Sequence, residues 1–104
     1  MNTFVKIGKT LALLFLIDHY SSISSQARNP AFFGLSDEKE CKFFMKKLDV
    51  NKSELIEIVD LLFKKEFVRF AQLDNTFFVF LTNKGSDFVF NNQIFGSTFS
   101  VKNF

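Results

Sequence analysis

Few residues in this chain are of types that could do covalent or metal chemistry. His19 and Cys41 each occur once. A thiolate–imidazole nucleophile needs a third group to orient its base, and neither residue has such a group beside it in sequence. One histidine and one cysteine fall short of a zinc site, and a single cysteine excludes an internal disulfide. Gly8, Gly34, Gly85 and Gly96 are scattered, so no glycine-rich loop is present to cradle a phosphate. The acids are surface-spaced rather than paired within apolar runs. The sequence therefore predicts no enzyme, no metal and no cofactor. What remains is binding chemistry. Lys42, Lys46, Lys47, Lys52 and Arg69 are cations that can meet phosphates, and a surplus of phenylalanine can meet protein.

Composition narrows the frame. The chain has 104 residues and 12.1 kDa, 47% hydrophobic and 23% charged. That is ordinary globular usage and one domain's worth of core. Thirteen Lys and Arg against eleven Asp and Glu leave a net charge of +2, too weak by itself to argue for nucleic acid. Phenylalanine is the outlier, with 17 copies and no tryptophan.

The elements that must position these groups can be read in order. Residues 1–24 hold a first helix, with Phe4, Ile7, Leu11, Leu14 and Phe15 at helical spacing. Val5, Leu13, Leu16 and Ile17 make it apolar nearly all round, as for a helix buried on several sides, often between subunits. Phe4, Leu11, Leu14 and Phe15 are accordingly the candidate dimer contacts. A secretory signal over residues 1–27 is the competing reading, with Lys6 and Lys9 before an apolar run of Leu11–Ile17. That run is too short to cross a bilayer, which needs about 20 residues. Without a signal or a span, the expected location is the cytoplasm.

Ser21–Gly34 reads as a loop, pinned to the core by Phe32 and Phe33. A second helix begins at Ser36 as N-cap, with Asp37 and Glu38 in its first turn. Cys41, Phe44, Met45 and Leu48 form its apolar face, and Glu38 can pair with Lys42. Asn51 caps a third helix, and Glu54 completes a capping box. Leu55, Ile58, Val59 and Leu62 are its buried stripe. The period then changes from 3.6 to 2. Phe67–Phe70 and Thr76–Leu81 make a hairpin around the Asp74-Asn75 turn. Phe77, Val79 and Leu81 are expected to face the third helix, and Phe78 and Phe80 to join Phe70 on the other side. A short helical stretch runs to Phe90, and Phe99 and Val101 suggest a weak edge strand in the tail.

This order, with segments at 36–66, 67–82 and 83–104, predicts a single mainly α domain with a small antiparallel hairpin: a winged helix-turn-helix. From Leu48 to Gly85 the chain resembles the DNA-binding lobe of the MarR-like transcriptional regulators. The resemblance rests on Leu48–Ser53, on Ile58-Val59-Asp60 with Leu62, on Lys64–Arg69, and on Phe80–Gly85 with its Leu-Thr-Asn-Lys-Gly. It covers about a third of the chain. It implies a homodimeric, cytoplasmic transcription regulator. The helix at 51–66 would lie in the major groove, with the wing near the backbone and the first helix and C-terminal segment at a dimer interface. The candidate DNA contacts are Asn51, Lys52, Ser53, Glu54, Glu57, Lys42, Lys46, Lys47 and Arg69, with duplex DNA as partner.

The sequence departs from that pattern at two places. Glu54 and Glu57 stand on the outward face of the third helix, where a carboxylate can accept only from cytosine and repels phosphates. The wing tip, Ala71–Thr76, has no Lys or Arg. Both departures favour an alternative: a winged-helix module that binds protein without binding DNA. Its candidate contacts are Ile56, Phe70, Phe78 and Phe80, three phenylalanines and an isoleucine whose exposure would form an apolar patch.

Overall fold

The computed structural model describes residues 2–24 and 28–95, with side chains described as far as residue 92. The element order is α1 (Thr3–Ile23), β1 (Phe32–Gly34), α2 (Glu38–Leu48), α3 (Lys52–Lys64), β2 (Val68–Leu73), β3 (Thr76–Leu81) and α4 (Asn83–Phe95). The chain is mainly helical with a small antiparallel sheet of order β1-β3-β2. No helix among the described residues is long and apolar enough to cross a membrane. The tail strand expected around Phe99 and Val101 lies outside the described residues.

α1 is capped by Asn2, whose side chain accepts from the Val5 amide at 2.9 Å. Its core face is Thr10, Leu13, Leu14, Ile17 and Ser21, while Phe4 is 88% exposed and Ile7 is also exposed. The expected face was therefore turned. A helix apolar on every side has no unique stripe for the 3.6 period to reveal, so its neighbours choose the face. The helix also runs one turn past Tyr20. Ser21 is buried there and clamps β1: its hydroxyl accepts from the Phe32 amide at 3.0 Å and donates to the Phe32 carbonyl at 3.1 Å. Leu13, Leu14 and Ile17 are fully buried, which ties α1 into the core.

The segment read as a loop contains a third strand. Phe32↔Phe80, Phe33↔Val79 and Gly34↔Phe78 set its register on β3. Phe33 is fully buried and stacks on Phe44 at 4.3 Å between ring centroids. Three residues are too few for an alternation to be read from sequence.

α2 starts one residue later than expected. Asp37, not Ser36, is the cap, accepting from the Glu40 amide at 3.0 Å. The Ser36 hydroxyl instead accepts from the Phe77 amide at 3.1 Å. Cys41, Phe44 and Leu48 are buried and Met45 is half-buried. The break before α3 turns on Asp49, in the left-handed region at φ 54°. Asn51 and Glu54 form the expected capping box, with bonds of 2.8 and 2.9 Å. Leu55, Ile58, Val59 and Leu62 are all buried, as their spacing requires.

The hairpin turns on Asp74 and Asn75, both at positive φ (49° and 65°). That is the type I′ geometry that matches the twist of the flanking strands. A second tie explains the Leu-Thr-Asn-Lys-Gly run. The Thr82 amide donates to the Phe67 carbonyl at 3.0 Å, and its hydroxyl donates to the Glu66 carbonyl at 2.6 Å. The same hydroxyl accepts from the Gly85 amide at 3.0 Å, capping α4. A Cβ on Gly85 would lie 2.2 Å from the Phe67 carbonyl oxygen, so only glycine lets α4 approach the Phe67 backbone this closely. These motif residues hold the fold together at the base of the hairpin.

One core joins all these elements, from Leu13 and Ile17 on α1 through Phe33 and Phe44 to Val79, Leu81 and Val89.

Candidate interaction surface

The outward face of α3 is the surface on which the sequence reading turns, and its charged groups are mostly engaged. Asn51 and Glu54 bond to each other's backbone in the capping box. Lys52 folds back toward α2: its ammonium donates to the Leu35 carbonyl at 2.9 Å and to Cys41 Sγ at 3.0 Å. Glu57 is ion-paired with Lys6 of α1. Asp60 pairs with Lys64 at 3.0 Å. Exposed pairs of this kind contribute only about 0–1 kcal/mol to stability. They do, however, occupy the groups that would otherwise meet a base edge. Ser53 is exposed and makes no side-chain hydrogen bond among the described residues.

Of the other cation candidates, Lys42 pairs with Glu38 at 2.8 Å. Their hydrogen bond, with the attraction between the charges behind it, lowers the Glu38 pKa and raises that of Lys42. Lys47 sits over the Phe43 ring at 5.7 Å. Lys46 is exposed and makes no ion pair among the described residues. Lys39, which the sequence reading passed over, shares that condition. Residues 39, 42 and 46 fall on one side of α2 by helical spacing. Arg69 is exposed on the opposite face of the sheet from Phe70. It opens onto a depression of about 470 Å³ with Asn29, Pro30, Thr82 and Asn83. The nine candidate DNA contacts thus fall on three separate surfaces: α3, α2 and the far face of the sheet.

The apolar candidates also separate, because the hairpin register differs from the expected one. Phe70 is paired with Val79, and Ala71 with Phe78. A two-residue turn fixes this parity, and a shift of one residue would exchange the faces. Phe70 therefore lies on the α3 side and cannot join Phe78 and Phe80. Those two pack with Phe32 of β1 at 5.5 and 5.1 Å and are half-buried. Arg28 lies over the Phe32 ring at 4.4 Å, and it bonds Glu40 at 2.6 Å. Glu40 is buried on α2. Neither member of this ion pair was legible as such, because a loop residue and a helix residue twelve apart share no local pattern.

On the other side, Phe70 packs at a tilt against Phe63 of α3, with 5.0 Å between ring centroids. Ile56 lies seven residues before Phe63, on the same helical face. Ile56, Phe63 and Phe70 are 48%, 46% and 41% exposed. Phe77, expected to pack inward with Val79 and Leu81, is 46% exposed on the same sheet face, because α3 does not reach that far along the hairpin. Exposed apolar side chains thus stand on α3, β2 and β3 on this side of the sheet, with Phe63 and Phe70 in ring contact. The sequence reading missed Phe63, although its i+7 spacing from Ile56 carried the signal.

The expected dimer contacts are divided as well. Leu14 is fully buried inside the chain, and Phe15 packs edge-on against Phe88 of α4 at 6.1 Å. Leu14 cannot reach a partner while the chain is folded. Phe4 remains exposed, and Leu11 lines an apolar cavity of about 230 Å³ with Ile7, Leu61 and Phe67.

Comparison with known proteins adds no relative. No known protein family, curated protein or solved structure matches this chain. The surface itself is therefore the whole basis for a functional reading.

Proposed function

We propose that the chain is a winged-helix module whose α3–hairpin face docks protein rather than duplex DNA. Support for the winged-helix reading comes from the element order and from β2 and β3 standing as a wing behind α3. The observation that carries the docking reading is the exposed group of Ile56, Phe63 and Phe70, flanked by α3 charges that are already bonded within the chain. Contiguous exposed apolar surface rimmed by polar groups marks interaction sites. Aromatic side chains there bring large contact area. The wing tip adds exposed Leu73 and an acid, Asp74, where a phosphate contact would need a base.

The test is fluorescence anisotropy of a labelled random-sequence duplex titrated at two salt concentrations. The expected result is no saturable binding at low salt by folded protein. A DNA-binding regulator is the second reading, favoured by one observation: Lys39 and Lys46, without an ion pair among the described residues, stand on one side of α2 with Lys42. On that reading, affinity falls steeply with salt, weakens on Lys46→Glu and is indifferent to Phe63→Ser. That outcome would sink the docking reading.

A further inference from the structure

Among the described residues β2 is an edge of the sheet, since the order β1-β3-β2 gives it one neighbour there. Which of its backbone groups are free follows from the ladder. Leu73 and Thr76 close the two-residue turn as a hydrogen-bonded pair, and bonding alternates along an antiparallel strand. β3 obeys the same parity on its other side. The Leu35 amide donates to the Phe77 carbonyl at 2.8 Å, and the Leu81 amide donates to the Ala31 carbonyl at 2.9 Å. Arg69, Ala71 and Leu73 therefore bond β3, while Val68, Phe70 and Gln72 aim their N–H and C=O groups outward. Val68 is sealed by its surroundings, but Phe70 and Gln72 are exposed. An exposed strand edge of this kind is a template for another strand.

We infer that this edge pairs with the β2 edge of a second copy of the chain, antiparallel about a two-fold axis at Ala71. In that register Phe70 lies opposite Gln72 of the other copy and Gln72 opposite its Phe70. Four backbone bonds form from the exposed groups alone, and none is asked of sealed Val68. Ala71 meets its own copy in a non-bonded pair, where strands approach to about 4.5 Å between Cα atoms, and its small side chain suits that approach. Arg69, the sole charge on β2, falls opposite Leu73 of the other copy, so the register sets no like charges face to face. The two Phe63–Phe70 pairs come together on one side of the joined sheet. The pairing is also self-limiting. Each copy uses up its β2, and the other edge, β1, is three residues long. A two-fold contact closes where a head-to-tail one would continue into a fibre.

The inference deepens the docking reading above by naming its occupant, and the experiment separates the two. The measurement is sedimentation equilibrium of the full chain over a wide concentration range. The expected wild-type mass rises with concentration from 12.1 kDa toward twice that value and stops there. Gln72→Pro removes one outward N–H of an edge strand and leaves Phe63 and Phe70 in place. It is expected to hold the chain monomeric with an unchanged circular dichroism spectrum. Should proline disturb the strand, Phe70→Lys, an edge lysine of the kind natural sheets use, gives the same result at an already exposed position. A dimer that survives both substitutions, or assembly beyond a dimer, would overturn the inference. So would a wild-type monomer at every concentration. Protection of the Phe70 and Gln72 amides from hydrogen exchange in that monomer would mean that the chain covers its own edge. Loss of association on Phe63→Ser but not on Gln72→Pro would keep the docking face and reject the edge.

Discussion

The two faces of one sheet treat the same residue type differently. On one face, Phe32, Phe78 and Phe80 form a half-buried cluster roofed by Arg28, whose charge is met by Glu40. On the other, Phe33 and Val79 are sealed beneath helices, but Phe70 and Phe77 toward the hairpin tip stay open, with Phe63 the only described aromatic partner of Phe70. Phenylalanine count alone says nothing about which of these fates a residue meets. The lesson is that an aromatic cluster is structural when the fold supplies a lid for it. It is a candidate interface when the nearest helix stops short.

The comparison can be broken most forcefully at Phe33. Phe33→Ala removes a fully buried ring stacked on Phe44 and is expected to cost about 3–5 kcal/mol, measured by denaturant unfolding. If Phe70→Ala costs as much, the open face is core after all and the contrast fails.

Arg28→Ala comes next. It leaves Glu40, whose side chain is 11% exposed, without its charged donor, and it uncovers Phe32. The expected loss is about 2 kcal/mol, in the range of a hydrogen bond to a charged group left unsatisfied. A loss near zero in the same unfolding assay would mean that the roof is not holding that cluster.

Phe70→Ala itself should cost less than about 1 kcal/mol, because much of its ring is in water in the folded chain. The same substitution should weaken association between copies, because the two Phe63–Phe70 pairs meet on one side of the joined sheet, while the backbone bonds of the edge remain. Stability and assembly would then move independently, which is what an interface residue does and a core residue does not.

The smallest effect is a titration. Tyr20 packs on Phe43 and Phe44, with Arg28 at 5.3 Å over its ring. Partial burial, with the charge of Glu40 second, raises its pKa above the ordinary tyrosine value. Because the folded value is the higher one, the associated stability is fully present below the unfolded value and is lost as pH rises through the folded one. As the single tyrosine in a chain without tryptophan, Tyr20 can be followed by its phenolate absorbance. The midpoint should lie above that of free tyrosine and fall on Glu40→Gln.

Local rules carried the sequence a long way where the signal was local. The Asn51–Glu54 capping box, the α3 stripe of Leu55, Ile58, Val59 and Leu62, the bounds of β3 and the Asp74-Asn75 turn all depend on residues within one or two turns of each other. Each was legible because its partners sit at fixed spacing. The Glu38–Lys42 pair is the same kind of case.

What only tertiary structure decided is everything that depends on distant partners. α1 is apolar all round, so its own sequence could not say that Leu14 faces the core and Phe4 the solvent; α3, α2 and β1 made that choice. Phe32 and Phe33 became a strand because β3 offered an edge. Lys52 and Glu57 had the spacing of groove contacts. Their charges are instead met at the surface by the Leu35 carbonyl and by Lys6, which lie 17 and 51 residues away. Sequence determined which segments would be helix or hairpin, because the backbone answers to its neighbours. Tertiary structure decided which side chains were left over to meet a partner, because exposure is what remains after all long-range contacts are made.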